Sequence, residues 1–259
     1  MLNMAKADLY RLVRSKGTYI CLAIMAVLYA GALVTDSFAV ITAGYDPSRY
    51  FDSSYQTDLR MAGCNANYYF LMLFPVSILL ISDFSSQTIK NTLSSVTTKT
   101  KYFVFKFLAV QCVSIVYFLL GNSAYYVIRR LIYGSAKASA ASEYFSVIFW
   151  QLPTFIATTS VFVLLAFIIR KSAMFNTIII LVPSVYTVTI GVFLEMKKTR
   201  GFAERYLVDY DFTNIYQYIA ASRSTGFHMQ VALISLIIAA AAFVAGLRIF
   251  NRSETMRQL

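Results

Sequence analysis

Long apolar runs alternate with short polar passages along this chain, and the alternation fixes most of what the sequence predicts. Apolar stretches over 18–43, 103–128, 144–169, 173–194 and 228–250 are each about the 20 residues that a helix needs to cross a bilayer. A shorter one, 67–82, contains Pro75, which predicts a kink. Ahead of them, 1–17 reads as an amphipathic helix. Leu2, Ala5, Leu9, Leu12 and Val13 share one face, with Asp8, Arg11 and Arg14 on the other. Such a helix rests in the headgroup region. The expected fold class is therefore an all-α polytopic membrane protein: a single six-span domain over 18–250 and a short tail over 251–259.

The polar passages differ in kind. Residues 83–101 form the longest one that still reads as helix, with Ile89, Leu93 and Val96 on a thin apolar stripe and Gln87, Thr88, Lys90, Asn91 and Ser94 around it. Asp83 or Ser85 is placed to cap its start. A helix of this type lies flat on a membrane and presents one face to a soluble partner; the plain alternative is a solvated loop. Residues 44–66 are a polar loop with Asp46, Asp52 and Asp58, beside a group of tyrosines suited to an interface. Residues 129–143 read as a short loop rich in Ser and Ala. The longest connection, 195–227, places Val208, Phe212, Ile215 and Ile219 on one stripe alongside Tyr206, Tyr210, Tyr216 and Tyr218. It is too polar to span. It either dips into the outer leaflet as a re-entrant element, which requires its backbone to be covered by protein, or lies on the surface.

Composition agrees with a membrane protein. Of 259 residues, 58% are hydrophobic and 14% charged, against the ~25% charged residues usual in soluble domains. The net charge of +11 comes from basic residues clustered at the ends of apolar runs, which suits lipid headgroups and topology signals rather than nucleic acid. Most of them fall on one side if both termini are cytoplasmic: Lys6, Arg11, Arg14, Lys16, Lys90, Lys99, Lys101, Lys106, Arg170, Lys171, Arg248, Arg252 and Arg257. Ala30-Gly31-Ala32 resembles a signal-peptide cleavage site, but the basic segment before it is long and the apolar run continues to Ala43. Asp36 is expected at the outer water interface.

Familiar chemistry is scarce. No GxxxxGK[ST] loop is present to cradle phosphates, and the single histidine, His228, reads as an interfacial residue. Cys21, Cys64 and Cys112 have no CxxC spacing and predict neither a metal site nor a disulfide framework. Paired intramembrane carboxylates, an ion filter and an Arg-rich voltage sensor are all lacking. In the last span, Ala241/Ala245 and Ala242/Gly246 have the small-xxx-small spacing of close helix contacts.

The order of these elements resembles the ABC-2 type permeases, the membrane subunits of one class of ATP-binding-cassette exporters. That family carries an acidic residue and Phe, two variable positions, then Gly-Thr-Ile/Leu and a basic residue after its second span. Asp83, Phe84, Thr88, Ile89 and Lys90 match; Gln87 replaces the glycine, and Asp83 the commoner Glu. A C-terminal Phe-x-x-Arg/Lys-Asp pattern is met in part by Phe250, Arg252 and Glu254. The resemblance implies that Asp83, Phe84, Ser86, Gln87, Thr88, Ile89, Lys90, Asn91 and Leu93 dock on a separate ATPase subunit, which binds ATP and magnesium. It implies that Leu9, Arg11, Leu12 and Arg14 belong to a connecting helix. Tyr206, Tyr210, Phe212, Ile215 and Tyr216 would form an outer re-entrant element. It further implies two permease copies in a bacterial cytoplasmic membrane, no catalysis or cofactor in this chain, and export of a hydrophobic or amphipathic substrate. Similar small permeases export antimicrobial peptides, lantibiotics or peptide toxins; drugs, lipids or ions are the alternative cargoes. The competing reading is a structural or regulatory membrane subunit with no pathway of its own.

Overall fold

A computed structural model describes residues 2–35, 62, 75–85, 89, 98–134, 139–203, 212–221 and 224–252. Apolar side chains at helical spacing dominate these segments, and the described residues are helical with no strand among them. In order, α1 is Leu2–Arg14 and α2 is Lys16–Thr35. The helical segment 75–85, here α3, contains a π-helical turn over Ser77–Ile81 followed by Ser82–Ser85. Then come α4 (Lys99–Tyr133), α5 (Ala141–Ile169), α6 (Ser172–Glu195), α7 (Phe212–Ala221) and α8 (Thr225–Arg252). Three of them, α4, α5 and α8, are long and apolar enough to cross a membrane.

Helix ends follow local chemistry. The Thr98 hydroxyl caps α4 by accepting from the Lys101 amide. Gly134 closes it at φ 70°, a left-handed conformation that glycine adopts without penalty. With 35 residues, α4 is about 50 Å long at 1.5 Å per residue, well beyond a ~30 Å hydrocarbon core. It therefore runs through the stretch expected as the 129–143 loop as far as Tyr133, because Tyr125, Tyr126 and Arg129 are packed inside the protein and hold the extra turns. The break expected near Pro75 takes the form of the π-helical turn two residues later. Asp83 does not cap a new helix: the helix runs unbroken from the π turn through Ser85, and the Asp83 carboxylate has other partners.

Helix directions follow from contacts at each end. Phe103 packs on Phe167 and Tyr126 on Tyr144, so α4 and α5 are antiparallel. Trp150 stacks on His228 and Phe167 meets Phe250, so α5 and α8 are parallel. The buried stripe of α8 is Ser235, Ala239, Ala242, Gly246 and Phe250. Of the two small-residue pairs, Ala242/Gly246 makes the packing seam, and Ala241 faces outward. A Cβ on Gly246 would lie 2.9 Å from the Phe103 ring. That ring is already held among Phe107, Phe167, Phe243 and Phe250, so only glycine fits.

The two ends of this bundle are built differently. At one end lie α1, residues 82–85, the start of α4 and the ends of α5 and α8, joined by the Phe84–Phe167 and Tyr102–Phe250 ring contacts and an Asn251–Thr100 hydrogen bond. At the other lie the end of α4, the starts of α5 and α8, and α7.

Candidate functional site: a buried charge cluster

The first end contains four charged side chains that meet, three of them buried and the fourth, Arg11, 34% exposed. Lys106 extends from the second turn of α4 and is 3% exposed. Its ammonium donates to both carboxylate oxygens of Asp8, at 2.7 and 2.8 Å, and to the Leu79 carbonyl at 2.9 Å. It also lies 2.7 Å from Asp83 Oδ2. Asp83 is 4% exposed. The Tyr102 hydroxyl donates to the same oxygen, Oδ2, at 2.7 Å, and the other oxygen, Oδ1, pairs with the Arg11 guanidinium. Arg11 also donates to the Ser82 hydroxyl at 3.2 Å. Two cations and two anions balance, which is the condition for burying charge at all.

Local structure makes the arrangement possible. Tyr102 and Lys106 are one turn apart on α4, as are Asp8 and Leu12 on α1. The π turn disturbs the regular hydrogen-bond ladder of α3, and its Leu79 carbonyl accepts from Lys106. Burial pushes the Asp8 carboxyl above the usual carboxylate range, and the attraction of Lys106 recovers only part of this. Burial acts on Asp83 in the same direction. There Lys106, then Arg11 and Tyr102, outweigh it and hold the carboxyl below its usual value. The cluster thus has one firmly ionised acid and one closer to protonation.

The face of α1 turned to the bundle is the one that carries Asp8. Asp8 is buried and Leu12 half-buried against the core, whereas Leu9 and Val13 are 64% and 55% exposed, as on a helix whose apolar face is left for lipid. Arg14 is exposed, its guanidinium 5.0 Å from the Tyr10 ring centroid. Burying the Lys106 ammonium without a counter-ion would be costly, and Asp8 supplies one.

Among the residues expected to dock a partner, Asp83 is in the cluster. Phe84 lies edge-on to Phe167 at 5.6 Å with the Arg170 guanidinium 5.9 Å over its ring. Ile89 is buried in the core. Ser86, Gln87, Thr88, Lys90, Asn91 and Leu93 lie outside the described residues, as do Asp36, Tyr206, Tyr210, Glu254 and all of the 44–66 loop except residue 62. The structure joins Asp83 to Arg11 directly. Asp8, Lys106 and Tyr102 were not singled out from sequence. The available signal was Lys106 itself, a charge inside the expected span 103–128 that requires a partner.

At the opposite end the short segments are tied in by uncharged groups, although the buried Arg129 also lies there, its guanidinium 5.2 Å from the Tyr133 ring centroid. Gln151, fully buried, donates to the Ala62 carbonyl at 2.8 Å and the Tyr216 carbonyl at 3.2 Å. Ala62, in the stretch expected to be a polar loop, is helical and 0% exposed. A His228 ring nitrogen is 3.2 Å from the Ile219 carbonyl, so this histidine is a buried tether rather than a surface residue. Tyr216, Gln217, Ile219 and Ala220 are buried and Ile215 half-buried; Phe212 begins the helix. Thus α7 packs against the bundle, with its Tyr216 carbonyl bonded by Gln151 of α5 and its Ile219 carbonyl by His228 of α8. Farther along, Tyr144 meets Asn122 Oδ1 at 3.1 Å, and Tyr126 donates to the Ser139 carbonyl at 2.9 Å.

Among the described residues no three His, Cys, Asp or Glu side chains converge as a metal site, and neither Cys21 nor Cys112 is joined in a disulfide. No protein-family model and no curated protein matches this sequence.

Proposed function

We propose that this chain is the permease subunit of an ABC exporter of the ABC-2 class. It would have six spans and both termini in the cytoplasm of a bacterial cell, and would pair with a second permease copy and a separate ATPase. The observation that carries this reading is Asp83, held at once by α1 through Arg11 and by α4 through Lys106 and Tyr102. A load applied to the polar segment after residue 85 is transmitted through this carboxylate to the amphipathic helix and to the longest helix of the bundle together. That is the linkage required of a chain that moves by alternating access while ATP is hydrolysed elsewhere. The basic residues gathered at the same end support a cytoplasmic placement. The cargo is a hydrophobic or amphipathic molecule, a peptide by the family resemblance.

Co-purification from the native membrane tests the reading. An ATP-binding subunit with a phosphate loop is expected to accompany the wild-type chain and to be lost from a Lys90→Glu/Leu93→Asp variant that still inserts and folds. If no ATPase accompanies the wild type, or if the variant retains both partner and transport, the proposal fails.

A further inference from the structure

A cavity of about 350 Å³ lies between α5, α7 and α8. Ala157 and Phe162 of α5, Ile215 of α7, and Ile234 and Ile238 of α8 form its walls. Three hydroxyls reach it, and each already has a partner in the wall. Thr154 and Ser235 hydrogen-bond to each other at 3.2 Å, and Thr158 donates to the Thr154 carbonyl at 2.9 Å. At the mouth Ile234 and Ile238 are exposed on a helix apolar enough to span a membrane.

These features restrict the occupant. Ordered water needs two or more polar partners, and the wall offers none that is not already bonded. A peptide segment would leave its amides without partners against carbon. An empty space of this size forfeits the contacts that close packing supplies. Hydrocarbon is the one component of a membrane that satisfies all three conditions. We propose that the cavity is a binding site for one fatty acyl chain of a membrane lipid, lying against α7 and supporting it from the side. The site stands on the cavity alone and does not depend on the transport reading.

The chain's single tryptophan provides the probe. Trp150 is one turn before Thr154, on the same stripe of α5 as Ala157 and Val161. Purified protein in mixed micelles is titrated with phosphatidylcholine brominated on its acyl chains, and Trp150 fluorescence is followed. A specific site predicts quenching that saturates at low mole fraction of brominated lipid. In Ala157→Phe and in Ser235→Phe, which fill the cavity from α5 and from α8, the half-saturating fraction should rise by about tenfold or more, equivalent to ~1.4 kcal/mol of lost affinity. Native mass spectrometry of the wild type should also show one retained lipid. Quenching that rises linearly with brominated lipid and is unchanged in the Ala157→Phe variant would reduce the cavity to ordinary bilayer contact and overturn the proposal. So would a wild-type protein that retains no lipid and shows no saturable quenching.

Discussion

At one end of the bundle the short segments are tied in by ion pairs, and at the other by hydrogen bonds to backbone carbonyls. At the charged end Lys106 and Asp83 link α1, α3 and α4. At the other end Gln151 and His228 link α7 and residue 62 to α5 and α8. Both solve the same problem, tying short segments to long helices away from water. They differ in what happens when one member is removed. A buried ion left alone costs far more than a buried amide or carbonyl left alone. The charged end therefore behaves as an all-or-none joint whose carboxylates respond to acid, and the other end as a graded one.

The largest effect should follow from removing the central cation. Lys106→Met leaves Asp8 without its cation, beside an Asp83 that keeps only Arg11 and Tyr102. It should destabilise the protein by about 3–5 kcal/mol in thermal unfolding in detergent. Adding Asp8→Asn removes the stranded charge and should recover much of the loss. Recovery by the double variant is what separates a charge network from a merely tight contact.

Acid titration sharpens the contrast. Asp83, held below its ordinary value, contributes stability that is present above the unfolded carboxylate range and is lost as pH falls through its folded value. Asp8, held above its ordinary value, acts with the opposite sign: its contribution is present at low pH and is lost as pH rises through its folded value. In Tm measured against pH, Asp83→Asn should flatten the acid-side fall. Asp8→Asn should leave that fall in place and remove the opposing slope above it.

At the other end, Gln151→Leu removes the two side-chain hydrogen bonds to the Ala62 and Tyr216 carbonyls. A loss of about 1–3 kcal/mol is expected, smaller than that of Lys106→Met. A loss as large as that of Lys106→Met would break the distinction between the two ends. The smallest effect has the reverse sign. Gln217 is buried, and among the described residues neither of its amide atoms has a partner. Gln217→Met keeps the length of the side chain and removes the unsatisfied groups, so Tm should rise, by an amount near 1 kcal/mol of stability.

Much of the bundle was legible in the apolar runs. The stretches 144–169, 173–194 and 228–250 lie within helices that begin one to three residues earlier and end no more than two residues later. Length and hydropathy determine such segments without reference to neighbours. The cluster was harder to see because its members are far apart in the chain: Asp8 and Lys106 are separated by 98 positions. Periodicity alone placed Asp8 on the wet face of α1, since a helical wheel cannot register a cation on another helix. For the same reason α7 reads equally as re-entrant or surface-lying from sequence, since the side chains that bond its Tyr216 and Ile219 carbonyls, Gln151 and His228, belong to other helices. Lys106 was the one residue whose position inside an apolar run announced that a partner had to exist.

The account depends most on which side of the membrane the segment following Asp83 occupies. Ser94→Cys in a background with Cys21, Cys64 and Cys112 replaced places one thiol on that segment, and a membrane-impermeant maleimide reads its exposure. No labelling in intact cells and full labelling after lysis is the result the account predicts. Labelling in intact cells would put the segment outside and contradict it.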